Sequence, residues 1–290
     1  MNQPLILDLD GSLHGLTEAE VLPLSDWQES IRFGCGLSTW RAFRKALDEQ
    51  MPHEHGTVLT GSGDFHHLSH LLVSRLKSSL PIDVVVLDNH PDNMRFPFGI
   101  HCGSWVRHVA VLPGVRKVHV VGISSSDVGW HHAWENTLGP LYKRKVHYWI
   151  VGVDTRWARA VGLARSFSSF SCRDKLIENF ISMLGSNDSP VYLSIDKDVL
   201  DSSVVKTNWD QGCFTPDDIE RIIVALAGRL VGSDITGEIS LYDYCTPWKR
   251  WLSALDDQPP LALSDVAAWQ AEQVAINHRL LAAINASTDC

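Results

Sequence analysis

The stretch DVVVLDNHPDN, residues 83–93, joins a run of strand-forming residues to a cluster of metal-binding side chains. Its Val and Leu residues predict a strand that is covered on both faces, as in a parallel sheet. Asp88, His90 and Asp92 follow at alternate positions. Alternate side chains of an extended chain lie on one face, so these three are expected to share one space, and the two residues between them to point away.

Six further apolar runs of this kind occur along the chain, and helix-like stretches lie between them. The runs cover residues 5–10, 57–64, 117–124, 146–154, 191–198 and 235–243. The helical stretches cover residues 65–79, 171–184, 215–230 and 264–284. Strands that alternate with helices predict an α/β fold with three α/β/α layers and a mostly parallel central sheet of about eight strands. No repeat or linker interrupts the pattern, so residues 1–290 are expected to form one domain.

The composition is that of a globular chain with an acidic balance. Hydrophobic residues make up 44% of the chain, and 34 acidic residues exceed 25 basic ones by nine. Nucleic acids and anionic membranes need a basic face, so neither is expected as a partner. No run approaches the ~20 apolar residues of a membrane span. The N-terminus lacks the basic region of a signal peptide, and six scattered cysteines suit a reducing compartment, so the expected location is cytoplasmic.

A second acidic cluster closes another apolar run. In YLSIDKDVLD, residues 192–201, Asp196 and Asp198 are again separated by one residue, and Asp201 follows. Ligands of open α/β sheets bind beyond the carboxyl ends of the strands, so the two clusters are expected to meet there. Gathered carboxylates need a cation, and an oxygen-rich set with one or two imidazoles suits Mn²⁺.

Three other motifs carry side chains of the same kind. TGSGDFHH places His66 and His67 where a Gly-rich turn leads into a helix. FGIHCGSW contains His101, and TGEIS contains Glu238 inside an apolar strand. A lone Glu in such a strand needs a cation or a donor-rich partner. For His66 or His67 taken alone, a solvent-exposed side chain at the start of a helix is the simpler interpretation.

These motifs, in this chain order, resemble those of the arginase/agmatinase (ureohydrolase) family, which includes formimidoylglutamases. That family carries Gly-Gly-Asp-His, then Asp-x-His-x-Asp, then Ser-x-Asp-x-Asp-x-x-Asp. Here DNHPD and SIDKDVLD match cleanly, and GSGDFHH matches loosely because Phe65 is inserted. The resemblance covers roughly residues 57–243 and implies a divergent member with an arginase-like fold.

The resemblance implies a site with two manganese ions per chain. Its ligands would be His66, Asp88, His90, Asp92, Asp196 and Asp198. Asp88 and Asp196 would bridge the ions, and Asp201 would orient the site. The inserted residue leaves His67 as an alternative to His66.

The resemblance also implies a reaction. A metal-bridging hydroxide would attack a guanidino, amidino or formimino carbon and release urea and an amine. His101 would shuttle the proton, and Glu238 would hold the guanidinium group. Lys197 departs from the usual pattern; it should point away from the metals and needs its own partner. The substrate would be a small guanidino compound, and the family's trimers and hexamers make a homo-oligomer an expectation.

Three other interpretations compete with a ureohydrolase. A zinc-dependent, deacetylase-like amidohydrolase would use one metal, whereas the second pair of aspartates favours two. A non-catalytic relative would bind metal without turnover. The DLDGS motif of residues 8–12 is similar to the nucleophile motif of haloacid-dehalogenase-type phosphatases, which also need adjacent acids after a strand. Asp217-Asp218 lies at a helix start and Asp256-Asp257 in a loop, so that set is incomplete.

Overall fold

A parallel sheet forms the centre of the molecule. The structure is a computed structural model and describes residues 2–255 and 263–288. Its strands are β1 (Leu5–Asp8), β2 (Glu20–Pro23), β3 (Gly34–Gly36), β4 (Val58–Leu59), β5 (Ile82–Leu87), β6 (Gly99–His101), β7 (Val115–Ile123), β8 (Val146–Val151), β9 (Phe167–Phe170), β10 (Val191–Asp196) and β11 (Leu230–Thr236). Within the described residues, nine strands pair in the order β2-β1-β4-β11-β10-β5-β7-β8-β9, and β3 pairs with β6 in a separate antiparallel ribbon.

Helices cover both faces of this sheet. They are α1 (Gln28–Ile31), α2 (Leu37–Gln50), α3 (Ser69–Arg75), α4 (Trp105–Val109), α5 (Leu138–Tyr142), α6 (Arg156–Ala160), α7 (Arg173–Leu184), α8 (Pro216–Ala225), α9 (Pro247–Leu255) and α10 (Leu263–Thr288). Alternate residues of β5 face opposite ways: Val84 and Val86 join a core with α2, α3 and α4, whereas Val85 and Leu87 join one with α7, α8 and α10. The predicted three-layer α/β/α fold is therefore confirmed.

The apolar runs identified the interior of the sheet and missed its edges. Six of the seven predicted runs fall on the inner strands β1, β4, β5, β7, β8 and β10. The run predicted at 235–243 overlaps β11 only at Ile235 and Thr236, so Glu238 lies just beyond the strand in which it was expected. The edge strands β2 and β9 are short and largely solvent-accessible, so they lack the continuous apolar pattern of a strand covered on both faces. The sheet consequently has one strand more than the predicted eight.

The observed end of one helix differs from the predicted end, whereas its start agrees with the prediction. The helix predicted at residues 215–230 ends at Ala225, because the chain then enters β11. Its start is as predicted: Thr215 accepts a hydrogen bond from the Asp218 amide, and the Asp218 carboxylate accepts one from the Thr215 amide at 2.9 Å. Among the described residues, none of the helices combines the length and hydropathy that crossing a membrane requires.

A buried arginine accounts for the DLDGS motif. Arg32 donates from Nε to Asp64 Oδ2 at 2.7 Å and from Nη1 to Asp10 Oδ2 at 3.4 Å. This pairing ties the N-terminal strand to the Gly-rich turn. Asp218 is engaged in the cap of α8, and Asp256-Asp257 lies outside the described residues. The motif thus has a structural role that needs no phosphatase chemistry.

Candidate metal centre

Two groups of histidine and aspartate side chains meet at the carboxyl ends of β5 and β10. His66, Asp88 and Asp196 form one group, and Asp88, His90 and Asp198 form the other. Within each group the potential ligand atoms lie within 4.8 Å of one another. β5 and β10 are neighbours in the sheet, which is why their terminal acids converge. Asp88 belongs to both groups and therefore lies between two candidate metal positions.

The ring of His66 presents one nitrogen to three carboxylates. The Nδ1 atom lies 3.0 Å from Asp92 Oδ2, 3.2 Å from Asp88 Oδ2 and 3.3 Å from Asp196 Oδ2. The Nε2 atom lies 3.0 Å from Ser194 Oγ, which itself donates to Asp234 Oδ1 at 2.8 Å. Because that hydroxyl proton is already used, we assign the ring proton of His66 to Nε2. A lone pair on Nδ1 then faces the same point as the carboxylates, an arrangement suited to a cation.

His90 is oriented in the same way by an acid that sequence analysis missed. Its Nδ1 lies 2.8 Å from Asp198 Oδ2 and 3.5 Å from Asp88 Oδ1. Its Nε2 lies 2.6 Å from Asp210 Oδ1, and Asn89 Nδ2 donates to Asp210 Oδ2 at 3.1 Å. A carboxylate on Nε2 holds the proton there and turns Nδ1 toward the second group. Asp210 lies in a loop without strand periodicity, so no sequence signal pointed to it.

The first motif converges for a reason other than strand alternation. β5 ends at Leu87, and the chain is no longer extended where the ligand candidates follow. Asp92 has φ 46°, a left-handed conformation that Asp tolerates better than most residues. Its carboxylate turns back toward His66 and accepts a hydrogen bond from Trp105 Nε1 at 2.6 Å. The expectation that the spacer residues point away is wrong for Pro91, which lines the cavity.

In the second motif, a tight turn after β10 brings Asp196 and Asp198 close together. Asp196 ends β10, and Asp198 lies in the single 3₁₀ turn Lys197–Val199. The Asp198 amide donates to Asp196 Oδ1 at 3.0 Å, which leaves Asp196 Oδ2 near His66. The Asn89 amide likewise donates to Asp198 Oδ1 at 3.0 Å. Backbone amides therefore orient carboxylates before any ion is considered.

Among the described residues Glu238 does not line the cavity, and this does not support the expectation that it holds a guanidinium group. The buried Glu238 carboxylate forms an ion pair with Lys197 and accepts a hydrogen bond from Asn277 Nδ2 at 2.7 Å. Gly237 precedes it with φ 91° and packs so closely on Asp196 that a Cβ would collide with Oδ1. The following side chain faces α10 instead of the sheet edge. Lys197, which needed a partner, points away from the acids as predicted.

Two other residues lie away from the acids. His67 is buried against Trp40, with ring centroids 5.4 Å apart, so the structure brings His66 and not His67 to the carboxylates. Asp201 accepts hydrogen bonds from the amide and hydroxyl of Ser203 at 2.9 Å and 2.6 Å. It closes a local turn, and the expectation that it orients the site is not supported.

The four aspartates of the site are buried close together and need a compensating positive charge to ionise. Burial and the charge of Asp88 raise the pKa of Asp92 and of Asp198 to about 7, and burial with Asp198 raises the pKa of Asp196 well above its usual range. Burial alone would raise the pKa of Asp88, but His66 and His90, when they are protonated in the absence of metal, lower it. Burial lowers the pKa of His66 and of His90, but the surrounding aspartates raise both well above the usual value, so the metal-free site is balanced by imidazolium charge. Bound divalent ions would supply that positive charge instead and leave the imidazoles neutral.

His101 lines a cavity of about 1310 Å³ that opens above the two groups. Its Nδ1 accepts a hydrogen bond from the Gly103 amide at 3.1 Å. Its ring stacks on Phe33 at 6.0 Å and meets Phe96 edge-on at 4.6 Å. Burial, with a smaller effect from Arg107, lowers the pKa of His101 to about 3. The imidazole is therefore neutral at pH 7.

The sheet, the cavity and the two His/Asp groups define an α/β protein with a candidate two-metal site. The model of the arginase family matches residues 26–244, so the chain belongs to the arginase family. Over 193 residues the chain is 30% identical to an uncharacterised protein of Thermotoga maritima. That match covers 66% of this chain and 62% of the relative, so the chain spans less than two thirds of the relative's length.

Solved structures show the same fold. An agmatine ureohydrolase of Thermoplasma volcanium superposes with a TM-score of 0.55 at 14% identity, covering 98% of this chain and 90% of that one. An arginase from Bacillus caldovelox gives 0.53 at 14% identity, covering 97% and 98%. A formimidoylglutamase from Bacillus subtilis gives 0.53 at 14% identity, covering 98% and 87%. At such identities the similarity concerns the fold alone.

Proposed function

We propose that the protein is a binuclear manganese hydrolase that cleaves a guanidino, or related amidino or formimino, C–N bond and releases urea and an amine. The observation that carries the proposal is the position of Asp88, which belongs to both His/Asp groups. Membership of the arginase family supports the reaction class. The similarity in fold to an agmatine ureohydrolase, an arginase and a formimidoylglutamase is in line with it.

The donor set fits two manganese ions. His66, Asp92 and Asp196 would hold one ion, His90 and Asp198 would hold the other, and Asp88 lies between the two positions. Four carboxylates and two imidazoles form the oxygen-rich set that manganese accepts. Two such ions, when bound, lower the pKa of water and so supply a nucleophile near neutral pH. Ser194 and Asp210 hold the two imidazoles in the orientation that this set requires.

His101 would move the proton in this reaction. The Gly103 amide occupies Nδ1, so Nε2 is the atom left to exchange a proton with the substrate. The lowered pKa means that the ring holds a proton only briefly. Efficient transfer needs a pKa nearer the working pH, so the proposal requires the bound substrate to raise the pKa of His101.

A second candidate is a deacetylase-like amidohydrolase that uses zinc. The observation that favours it is the ion pair between Glu238 and Lys197, since a carboxylate engaged there does not hold a cationic guanidinium group. A neutral amide needs no such counter-charge. A non-catalytic relative that binds metal is the third candidate, and only turnover separates it from the other two.

A product screen tests these candidates. Protein loaded with manganese would be offered arginine, agmatine, guanidinobutyrate and formimino compounds, with urea, ammonia and formamide measured in parallel. We expect manganese-dependent product from at least one compound and none from the Asp88→Ala variant. Turnover of acetylated amines alone, by zinc-loaded protein, would establish the second candidate. Bound metal without turnover of either class would contradict both enzymatic proposals.

The proposal takes a small molecule as the partner and the cytosol as the location. The formal net charge of −9 argues against a nucleic-acid substrate. The six cysteines are scattered along the chain, which suits a reducing compartment. A homo-oligomer stays a prediction, which light scattering of the purified protein would test.

A further inference from the structure

Aromatic side chains line much of the cavity above the His/Asp groups. Among the described residues these are Phe33, Phe96, Phe98, Trp209, Trp248 and Trp251, which we call the aromatic wall. Ring contacts connect the wall to the site at two points. Trp209 meets the ring of His90 edge-on at 6.1 Å, and Phe96 meets the ring of His101 at 4.6 Å. A substrate with its reactive group at the site therefore extends directly onto aromatic surface.

Phe96 is the centre of this wall. Its ring lies 5.9 Å from that of Phe98 and 6.4 Å from that of Trp248. Phe98 is 78% exposed and Trp248 is 39% exposed, so the wall runs from the buried His101 to solvent. Aromatic surface left in water at the entrance of a cavity gains free energy when a ligand covers it.

The wall is held in place by polar contacts behind it. Lys249, next to Trp248, donates to the carbonyl oxygens of Glu29, Ser30 and Arg32 at 2.6, 3.1 and 2.8 Å, which anchors α9. Arg107 Nη2 donates to the Phe96 carbonyl at 2.6 Å. Surfaces that are ordered before binding lose less entropy on binding, which makes them suited to ligand recognition.

The volume of the cavity points in the same direction. Pockets that enclose drug-sized ligands measure roughly 300–1,000 Å³. The present cavity, at about 1310 Å³, exceeds what a guanidino group on a short aliphatic chain fills. The excess volume is bordered by rings, which prefer flat, apolar ligand groups.

We infer that the substrate carries an aromatic ring, or an apolar group of similar bulk, joined by a short linker to the scissile C–N group, and that Phe96 and Trp248 determine this preference. The nature of the scissile group rests on the proposed function. The preference for an aromatic group rests on the wall alone, so the two can fail separately.

The test compares ligands that share one charged group and differ in bulk. Methylguanidine, butylguanidine, benzylguanidine and agmatine would be assayed with manganese-loaded protein for kcat/KM, and their binding measured by calorimetry. We expect benzylguanidine to exceed butylguanidine by about tenfold, the worth of one well-buried ring contact. Phe96→Ala and Trp248→Ala should abolish that difference, and Trp248→Phe should retain it.

A matched control and a second readout separate the outcomes. Trp134 is 69% exposed and lies outside the cavity lining, so Trp134→Ala should leave the ratio unchanged. If no guanidine is hydrolysed but benzylguanidine binds through Phe96 and Trp248, the proposed reaction fails and the aromatic preference stands. Equal binding of butyl- and benzylguanidine overturns the inference. A change in molar mass of Trp248→Ala without a change in binding also overturns it, because the wall is then a contact between copies.

Discussion

Single residues organise the candidate site through hydrogen bonds that choose one nitrogen of each imidazole. Ser194 occupies Nε2 of His66, and Asp210 occupies Nε2 of His90, so both rings turn Nδ1 toward the acids. Asp88 lies between the two rings and contacts both. Substitution of Asp88, which belongs to both His/Asp groups, should thus affect metal binding differently from substitution of a residue that belongs to one group.

Substitution of the shared acid should remove both ions, whereas substitution of an unshared acid should remove one. We expect Asp88→Ala to retain no manganese after dialysis and Asp198→Ala to retain one ion per chain, measured by elemental analysis. Asp201→Ala is the matched control, because the Asp201 carboxylate accepts hydrogen bonds from Ser203 within its own turn. Two ions bound to Asp88→Ala would rule out the assignment.

Asp210 should affect metal binding without being a ligand. Removal of a carboxylate that orients a ligating imidazole typically lowers metal affinity about 10–100-fold. We expect Asp210→Ala to weaken binding of one of two manganese ions by that factor in a chelator competition. Asp127→Ala, which alters another acid of the cavity lining, should leave both affinities unchanged. An unchanged affinity in Asp210→Ala would show that its contact with His90 is incidental.

His101 should affect rate and not metal content. We expect His101→Ala to bind two ions and to lose kcat by about 10²–10⁴, the usual contribution of a positioned proton-transfer group. Because burial lowers its pKa to about 3, His101 does not change charge between pH 5 and pH 9. Any inflection of kcat/KM in that range should therefore persist in the variant. Loss of the inflection in His101→Ala would contradict this account.

At the scale of elements, α9 is a short helix whose position depends on one buried lysine. Lys249 donates to three carbonyl oxygens around the end of α1, and Glu29 accepts hydrogen bonds from the amides of Cys245 and Thr246. The helix carries cavity-lining side chains, so its docking links a distant part of the chain to the cavity.

Loss of the lysine amine should loosen this helix. Lys249→Met leaves three carbonyl groups without their donor, which we expect to lower the free energy of unfolding by roughly 2 kcal/mol. Hydrogen exchange of residues 242–255 should accelerate, and benzylguanidine should bind more weakly, while manganese content is unchanged. Arg250→Met, at the neighbouring exposed position, is the control. Unaltered exchange in Lys249→Met would show that α9 is held by packing alone.

At the scale of the whole molecule, partly buried histidines make stability depend on pH. Burial lowers the pKa of His70 and of His147 to about 4, with smaller effects from His108 and Lys117 respectively. An unfolded chain protonates these groups below about pH 6.5, whereas the folded chain does not until the pH nears their lowered values. Acidification from pH 7 to pH 5 thus favours unfolding, because the unfolded state binds more protons.

His147 offers a clean test, because it lies on β8, away from the candidate metal centre. Each such histidine should reduce the free energy of unfolding by roughly 1–2 kcal/mol between pH 7 and pH 5. His147→Gln, which can keep the contact with Ser168 Oγ, should lose less stability over that range in urea titrations with chelator present. The exposed His53→Gln should behave like the unaltered protein. Equal losses in both variants would contradict the burial argument.

The sequence alone was sufficient to predict the fold class, most of the inner strands and the clustering of acids at the carboxyl ends of the strands. Those features follow from local patterns: apolar runs mark strands covered on both faces, and parallel strands end at a common edge. The start of the helix predicted at residue 215 was also correct, because Thr215, Pro216 and Asp218 act within one turn. The edge strands were not visible, because partial exposure removes the apolar signal.

Only the tertiary structure decided which side chains face one another. Asp210 meets His90 across 120 positions of the chain, and Glu238 meets Asn277 across 39. The left-handed backbone at Asp92 turns its own carboxylate toward the site. The left-handed backbone at Gly237 turns the carboxylate of the next residue, Glu238, away from the site. Periodicity tells where a strand ends, but the direction of a side chain beyond that end depends on backbone angles and on partners brought from elsewhere in the chain.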